Sequence, residues 1–153
     1  MLRIHKILVA TDFSPCSEPA LQYAAELALG MKSKLYVLHV AEHSSDGGDP
    51  DSYKYIIPDY ISEVERKLTE RLNRTVNELK LKGVDAHPLL VAGRAYTDIV
   101  STAEDLAVDL IVIATHGRTG FSHLVFGSTA EKVVRLATCP VLTVKSQPNP
   151  LVA

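Results

Sequence analysis

The stretch L-I-V-I-A-T-H-G-R-T-G-F-S-H-L-V-F-G-S-T-A-E-K-V-V-R-L, Leu110 to Leu136, reads as a strand, a long loop and a helix. Leu110, Ile111, Val112 and Ile113 form a purely apolar run, which suits a strand covered on both faces. From Ser128 onward the apolar residues recur at helical spacing. Between them stand Gly117, Gly120 and Gly127. Glycines there let the backbone take positive φ and let a ligand approach main-chain N–H groups. Gly127 and Ser128 sit where the helix begins, so free N–H groups and the positive end of the helix dipole point into the loop. Ser128 is expected as the N-cap, with a hydroxyl able to donate to a phosphate. Two readings stand on this stretch alone: a phosphate cradle, or a surface loop whose glycines serve turns.

Upstream, the same strand–helix alternation repeats. Lys6 to Ala10 (K-I-L-V-A) is a short apolar strand. Ser14-Pro15 is expected to start a helix with Ala20, Leu21, Ala24, Ala25, Leu27 and Ala28 on one face, stopping at Gly30. Lys34 to Val40 is the second strand. Residues 41–58 turn to Ser, Gly, Asp and Pro; a segment of that length and composition is expected to lie over or beside the site and to be mobile without ligand. A helix from about Asp59 carries Ile61, Val64, Leu68, Leu72, Val76 and Leu79 at steps of three or four, with Gly83 as its C-cap. A strand over residues 84–90 follows, then a helix marked by Ala95, Ile99, Ala103 and Leu106. After the opening stretch comes a last strand, Val141–Val144. Strict alternation predicts a single-domain α/β fold: an open, five-stranded parallel sheet with helices on both faces, Rossmann-like in architecture. In such sheets ligands bind at the carboxyl ends of the strands, where the winding reverses. The domain is expected to span residues 1–146, with 147–153 a loose tail.

The bulk properties agree with an ordinary globular chain. It has 153 residues, 46% hydrophobic and 22% charged, enough for one domain with a sizeable core. A formal net charge of −2 and the lack of a basic block argue against a nucleic-acid surface. No apolar run approaches the roughly 20 residues of a membrane span, and the first residues lack a signal-peptide core. Cys16 and Cys139 make no disulfide framework. A cytoplasmic protein is the expectation.

Asp12 directly follows the first strand, where a carboxylate can accept ribose hydroxyls or cap its own turn. His116 and Arg118 invite roles as phosphate ligand or clamp, against the plainer reading that His116 orders the loop. The six histidines show no metal-binding spacing. Neither G-x-x-x-x-G-K-[ST] nor G-x-S-x-G occurs, so P-loop and hydrolase-elbow machinery are missing. These gaps favour a module that senses or stores a nucleotide over a fast catalyst.

Taken together, V-A-T-D-F-S after the first strand, L-H-V in the second, T-H-G-R-T-G with F-G-S, and the closing C-P-V-L-T-V resemble the universal stress protein family. The resemblance runs from Lys6 to Lys145. Nucleotide-binding members share Gly, two residues, Gly, nine residues, Gly, then Ser or Thr. Here Gly117, Gly127 and Ser128 match, while Ala114 stands at the first glycine position. That methyl group crowds a ligand, or costs little if its φ is negative and it points away. The resemblance implies strand order 3-2-1-4-5 and a site for ATP, with Mg²⁺ or with AMP or another adenine nucleotide as variants. It gives Asp12 the ribose and the main chain of Val40 the adenine. Ala10 and Ile113 would line base or sugar, and Gly117, Gly127, Ser128 and Thr129 would hold phosphates, near Ala114 and Arg118. It further implies a homodimer through Val141–Val144, whose open apolar edge invites pairing. Three functions follow: an ATP-dependent regulator with a partner protein yet to be identified, a slow ATP hydrolase, or a nucleotide-free dimeric interaction module.

Overall fold

The computed structural model describes residues 1–42, 58–116 and 126–146. Within them, five strands and four helices alternate along the chain: β1 (Lys6–Ala10), α1 (Glu18–Met31), β2 (Lys34–Ala41), α2 (Pro58–Leu81), β3 (Asp85–Ala92), α3 (Ala95–Asp105), β4 (Leu110–Ala114), α4 (Ser128–Leu136) and β5 (Val141–Val144). The sheet is wholly parallel, in the order β3-β2-β1-β4-β5. This is the expected architecture. Its order has a mechanical cause, since right-handed crossovers carry the chain one way with helices on one face and back the other way with helices on the opposite face.

Side chains alternate across each strand and feed two cores. Ile7, Val9, Leu35, Val37, Leu110, Val112 and Ala114 pack beneath α1 and α2. Leu8, Leu38, Ile111 and Ile113 pack beneath α3 and α4, against Ile99, Ala103, Ala130 and Val133. Ile7, Leu8 and Val9 are fully buried, which is why β1 reads as a continuous apolar run instead of an alternating one. Alanines 20, 24, 25 and 28 line the buried side of α1, and their small size lets that helix lie close on β1 and β4. On α2, Leu72, Val76 and Leu79 are buried, Leu68 is half-buried and Val64 is exposed. The C-terminal half of that helix is therefore what rests on the sheet. Asp109 anchors the start of β1 by accepting the N–H groups of His5 (2.8 Å) and Lys6 (2.9 Å), which hold its carboxyl below the usual carboxylate range.

Several boundaries differ from the sequence expectation. Helix α1 begins at Glu18 with Ser17 as N-cap, because residues 14–17 form a turn in which Ser17 bonds back to the Ser14 carbonyl. The helix also continues through Gly30. Lys32, at φ 56°, takes the left-handed position instead, and the N–H of Ser33 closes onto the Ala28 carbonyl at 2.9 Å. Strand β3 covers Asp85–Ala92, and Gly83 (φ 90°) ends α2 as expected. The N-cap of α4 is Gly127, with Ser128 the first helical residue. Residues 43–57, on which the expectation of a ligand-covering segment falls, lie outside the described residues, as does the tail 147–153.

Candidate functional site

Strands β1 and β4 are neighbours only as far as Val9 and Val112. Beyond that point the ladder between them ends. The N–H of Thr11 donates to the Leu38 carbonyl of β2 (2.9 Å), and the N–H of Thr115 donates to the Val144 carbonyl of β5 (3.0 Å). This is the carboxyl edge of the sheet, at the point where the winding reverses, which is where open α/β sheets offer a ligand crevice.

On the β2 side of this crevice, Leu38 turns its carbonyl toward β1 and Ala41 turns its own toward β3, accepting from Gly93 (3.1 Å). By the two-residue repeat of a strand, Val40 presents its N–H and C=O toward β1, at a level where β1 has already ended. The side chains of Ala10 and Val40 pack with Ile113 on the α3/α4 face of the sheet. Tyr96 joins this group, with the Lys132 ammonium 4.6 Å over its ring and Arg94 also nearby. The hydrogen bond from Arg94 lowers the Tyr96 phenol from its ordinary range. Together these groups offer an apolar slot with a main-chain edge.

Asp12 follows β1 at the mouth of the crevice. One oxygen, Oδ1, accepts the Ser14 N–H at 2.9 Å, so the carboxylate is oriented by its own turn. The local reading of Asp12 as a turn-capper is thus realised, and the same bond fixes where its other oxygen can reach.

Opposite Asp12 lies the start of α4. Thr115 is 1% exposed, and its carbonyl accepts the Gly127 N–H, closing the base of the loop that separates them. With that N–H committed, the donors left at the helix start are those of Ser128, Thr129 and Ala130, which have no acceptor within the helix. Gly127, as N-cap, supplies no side chain to cap them. Ser128 is exposed and Thr129 half-buried, so the first turn of α4 is accessible. The backbone of Gly127 (φ −69°, ψ 159°) is one any residue adopts, so positive φ is not what glycine supplies there. Ala114 is 8% exposed and belongs to the core under α1, with a backbone outside the positive-φ set. Its methyl group points away from the α3/α4 face that carries Ile113. His116 bonds through Nδ1 to the Thr115 hydroxyl at 3.0 Å. Gly117 and Arg118 lie outside the described residues. Cys16 and Cys139 are free thiols, and burial pushes that of Cys139 up.

The described candidate residues thus stand at the carboxyl ends of β1, β2 and β4 and at the start of α4, but sequence reasoning overlooked several that hold these strand ends. Thr115 pins both ends of the loop. Thr11, buried, accepts the Phe13 N–H through its hydroxyl (3.0 Å) and meets the Ser17 hydroxyl (3.1 Å). Buried His39 sits behind them, its Nδ1 2.8 Å from the Thr11 carbonyl. Thr11 and Thr115 each adjoin a strand end, which was the available signal. His39 carries none that separates it from a core residue. Among the described residues no group of three His, Cys, Asp or Glu side chains is placed to hold a metal.

A profile of the universal stress protein family matches residues 3–145. The chain belongs to the universal stress protein family. Universal stress protein MJ0531 of Methanocaldococcus jannaschii is 32% identical over 141 residues, covering 92% of this chain and 81% of that protein. Among solved structures, protein MJ0577 of the same organism superposes with a TM-score of 0.77 at 29% identity, covering 97% of this chain and all of the other (100%). The universal stress protein of Archaeoglobus fulgidus in complex with dAMP gives a TM-score of 0.64 at 25% identity, covering 94% of this chain and 100% of that one. Among the described residues of this family member, no helix is long and apolar enough to cross a membrane.

Proposed function

We propose that this universal stress protein binds an adenine nucleotide, ATP in the first instance, in the crevice between Asp12 and the first turn of α4, and that occupancy sets its regulatory state. The observation that supports the reading is the end of the β1–β4 ladder at Val9 and Val112, beyond which the Val40 main-chain edge, Asp12 and the start of α4 all follow strands at the same carboxyl edge of the sheet. Adenine would take the Val40 edge in the slot of Ala10 and Ile113, and Asp12 would accept ribose hydroxyls. Phosphates need several donors converging on one point, for which Ser128 and Thr129 serve, joined by Gly117 and Arg118. A carboxylate repels polyphosphate, so Asp12 faces the sugar unless Mg²⁺ lies between. Ala114 is no obstacle, since its methyl group is buried on the α1 side. The dAMP complex of the Archaeoglobus relative supports a nucleotide of this class. Homodimerisation along the β5 edge and engagement of a partner protein complete the proposal.

The test starts with ligand released by acid from freshly purified protein and identified by chromatography. ATP is expected; ADP with turnover would indicate a slow hydrolase, and an empty protein the interaction module. Titration calorimetry then locates the site. Asp12→Ala should weaken ATP binding by about 1–3 kcal/mol. Gly127→Val should block the phosphates while the protein still unfolds cooperatively. If Gly127→Val binds ATP as tightly as the parent, the phosphates do not sit at the start of α4.

A further inference from the structure

Phe13 is a bulky residue at φ 60°, in the left-handed region that only glycine enters without strain. It stands directly after Asp12, so whatever holds it there also sets the direction of the Asp12 carboxylate. Besides its packing against the core beneath α1 and α2, four contacts do so. The Phe13 N–H donates to the Thr11 hydroxyl at 3.0 Å. Its ring lies 4.7 Å from the His39 ring, tilted by 33°, and His39 is itself fixed by the Thr11 carbonyl. The remaining two contacts both come from Arg71 of α2, which is 58 residues away in sequence. Its Nη2 donates to the Phe13 carbonyl at 3.0 Å, and its guanidinium lies over the Phe13 ring at 4.7 Å from the centroid.

We propose that Arg71 is a positioning residue for the nucleotide site: by gripping both the carbonyl and the ring of Phe13, it holds the left-handed turn that aims Asp12 at the ribose. This rests on the nucleotide reading above. Arg71 thus holds Phe13 at two points, with the guanidinium over the ring and the carbonyl tied to the same side chain. His39 precedes Val40, so the cluster that fixes the sugar side also backs the strand end offered to the base. Arg71 lies one residue before Leu72, which is buried against the sheet. A displacement of that helix from the sheet would therefore be transmitted to Asp12.

Two measurements test the role. Amide exchange followed by NMR in the ligand-free protein reads the turn itself, because the N–H groups of Phe13 and Ser14 are protected by Thr11 and Asp12. Arg71→Ala should speed exchange at both amides while core amides of β1 stay protected. Affinity for ATP and for 2′,3′-dideoxy-ATP reads the consequence. Arg71→Ala should lose about 3- to 10-fold in ATP affinity, less than the full worth of an exposed cation–π contact and a charge-assisted hydrogen bond because only the aim of Asp12 is lost. Dideoxy-ATP, lacking the hydroxyls Asp12 would hold, should bind the variant as it binds the parent. Arg71→Ala should have no added effect in an Asp12→Ala background. Arg71→Lys, which keeps a cation over the ring, should recover part of the loss. Unchanged exchange at Phe13 and Ser14, or an equal loss for both nucleotides, overturns the positioning role alone. A parent that binds neither nucleotide overturns the nucleotide reading and the role together.

Discussion

Gly93 is a residue whose importance comes from one neighbour. Its N–H donates to the Ala41 carbonyl, and a Cβ built on it would stand 2.1 Å from Oδ2 of Asp98. That oxygen accepts the Arg94 N–H at 2.7 Å, reaching back over the start of α3 as an acidic residue does in a capping box. Gly93→Ala should evict the carboxylate and destabilise the fold by about 0.5–2 kcal/mol, the usual worth of a helix cap. In an Asp98→Ala background the same change should cost far less, and full additivity of the two in urea unfolding would refute the coupling. Residues of this kind divide by how local their reasons are. Asp12, Gly127 and Ser128 are legible in the sequence because a strand end and a helix start are marked by adjacent residues. Phe13 and Arg71 are not, since neither shows its function until α2 is laid over the loop after β1.

At the scale of elements, three helices close in the same manner. After α1, α2 and α3, the residue at the left-handed position is Lys32, Gly83 and Ala107, with φ of 56°, 90° and 49°. The next N–H in each case, from Ser33, Val84 and Val108, bonds back to the last turn, at 2.9, 3.1 and 3.0 Å. Only Gly83 uses the residue that makes such a stop readable. The sequence pattern puts the end of α1 at Gly30, yet that residue lies inside the helix, with open space for 4 Å around the place a Cβ would occupy. Two expectations follow from these backbones. Lys32→Gly and Ala107→Gly should each stabilise by about 0.5–1 kcal/mol by relieving positive φ. Gly30→Ala should stabilise by about 0.5–1 kcal/mol through helix propensity. Shifts in the urea midpoint at constant slope would measure both. A loss of stability in Lys32→Gly would show that its side chain, not its backbone, matters there.

For the whole molecule, strand order leaves two edges. β3 carries Pro88, whose missing N–H suits an edge strand, whereas β5 is four residues long with Leu142 36% exposed. Exposed Val134 and Leu136 of α4 precede it in sequence. The proposed homodimer would pair β5 with its own copy about a two-fold axis and cover such surface. Light scattering at micromolar concentration should give twice the 16.7 kDa of one chain, and Leu142→Lys should shift the mass toward the monomer. A parent at the monomer mass would refute the dimer.

The sequence by itself determined the order and type of the elements among the described residues, and the parallel sheet with helices on both faces. Those properties live in short-range patterns: apolar runs of strand length, helical spacing, and glycine or capping residues at junctions. Strand order was implied by resemblance alone, because a run such as Ile7-Leu8-Val9 carries no mark of its neighbour. What only the tertiary structure decided was where the ladder between β1 and β4 ends, where the Ala114 methyl points, and what holds Phe13 in a strained turn. Each of these depends on contacts between residues far apart in sequence, and their energies exist only once the two layers of helices have closed on the sheet.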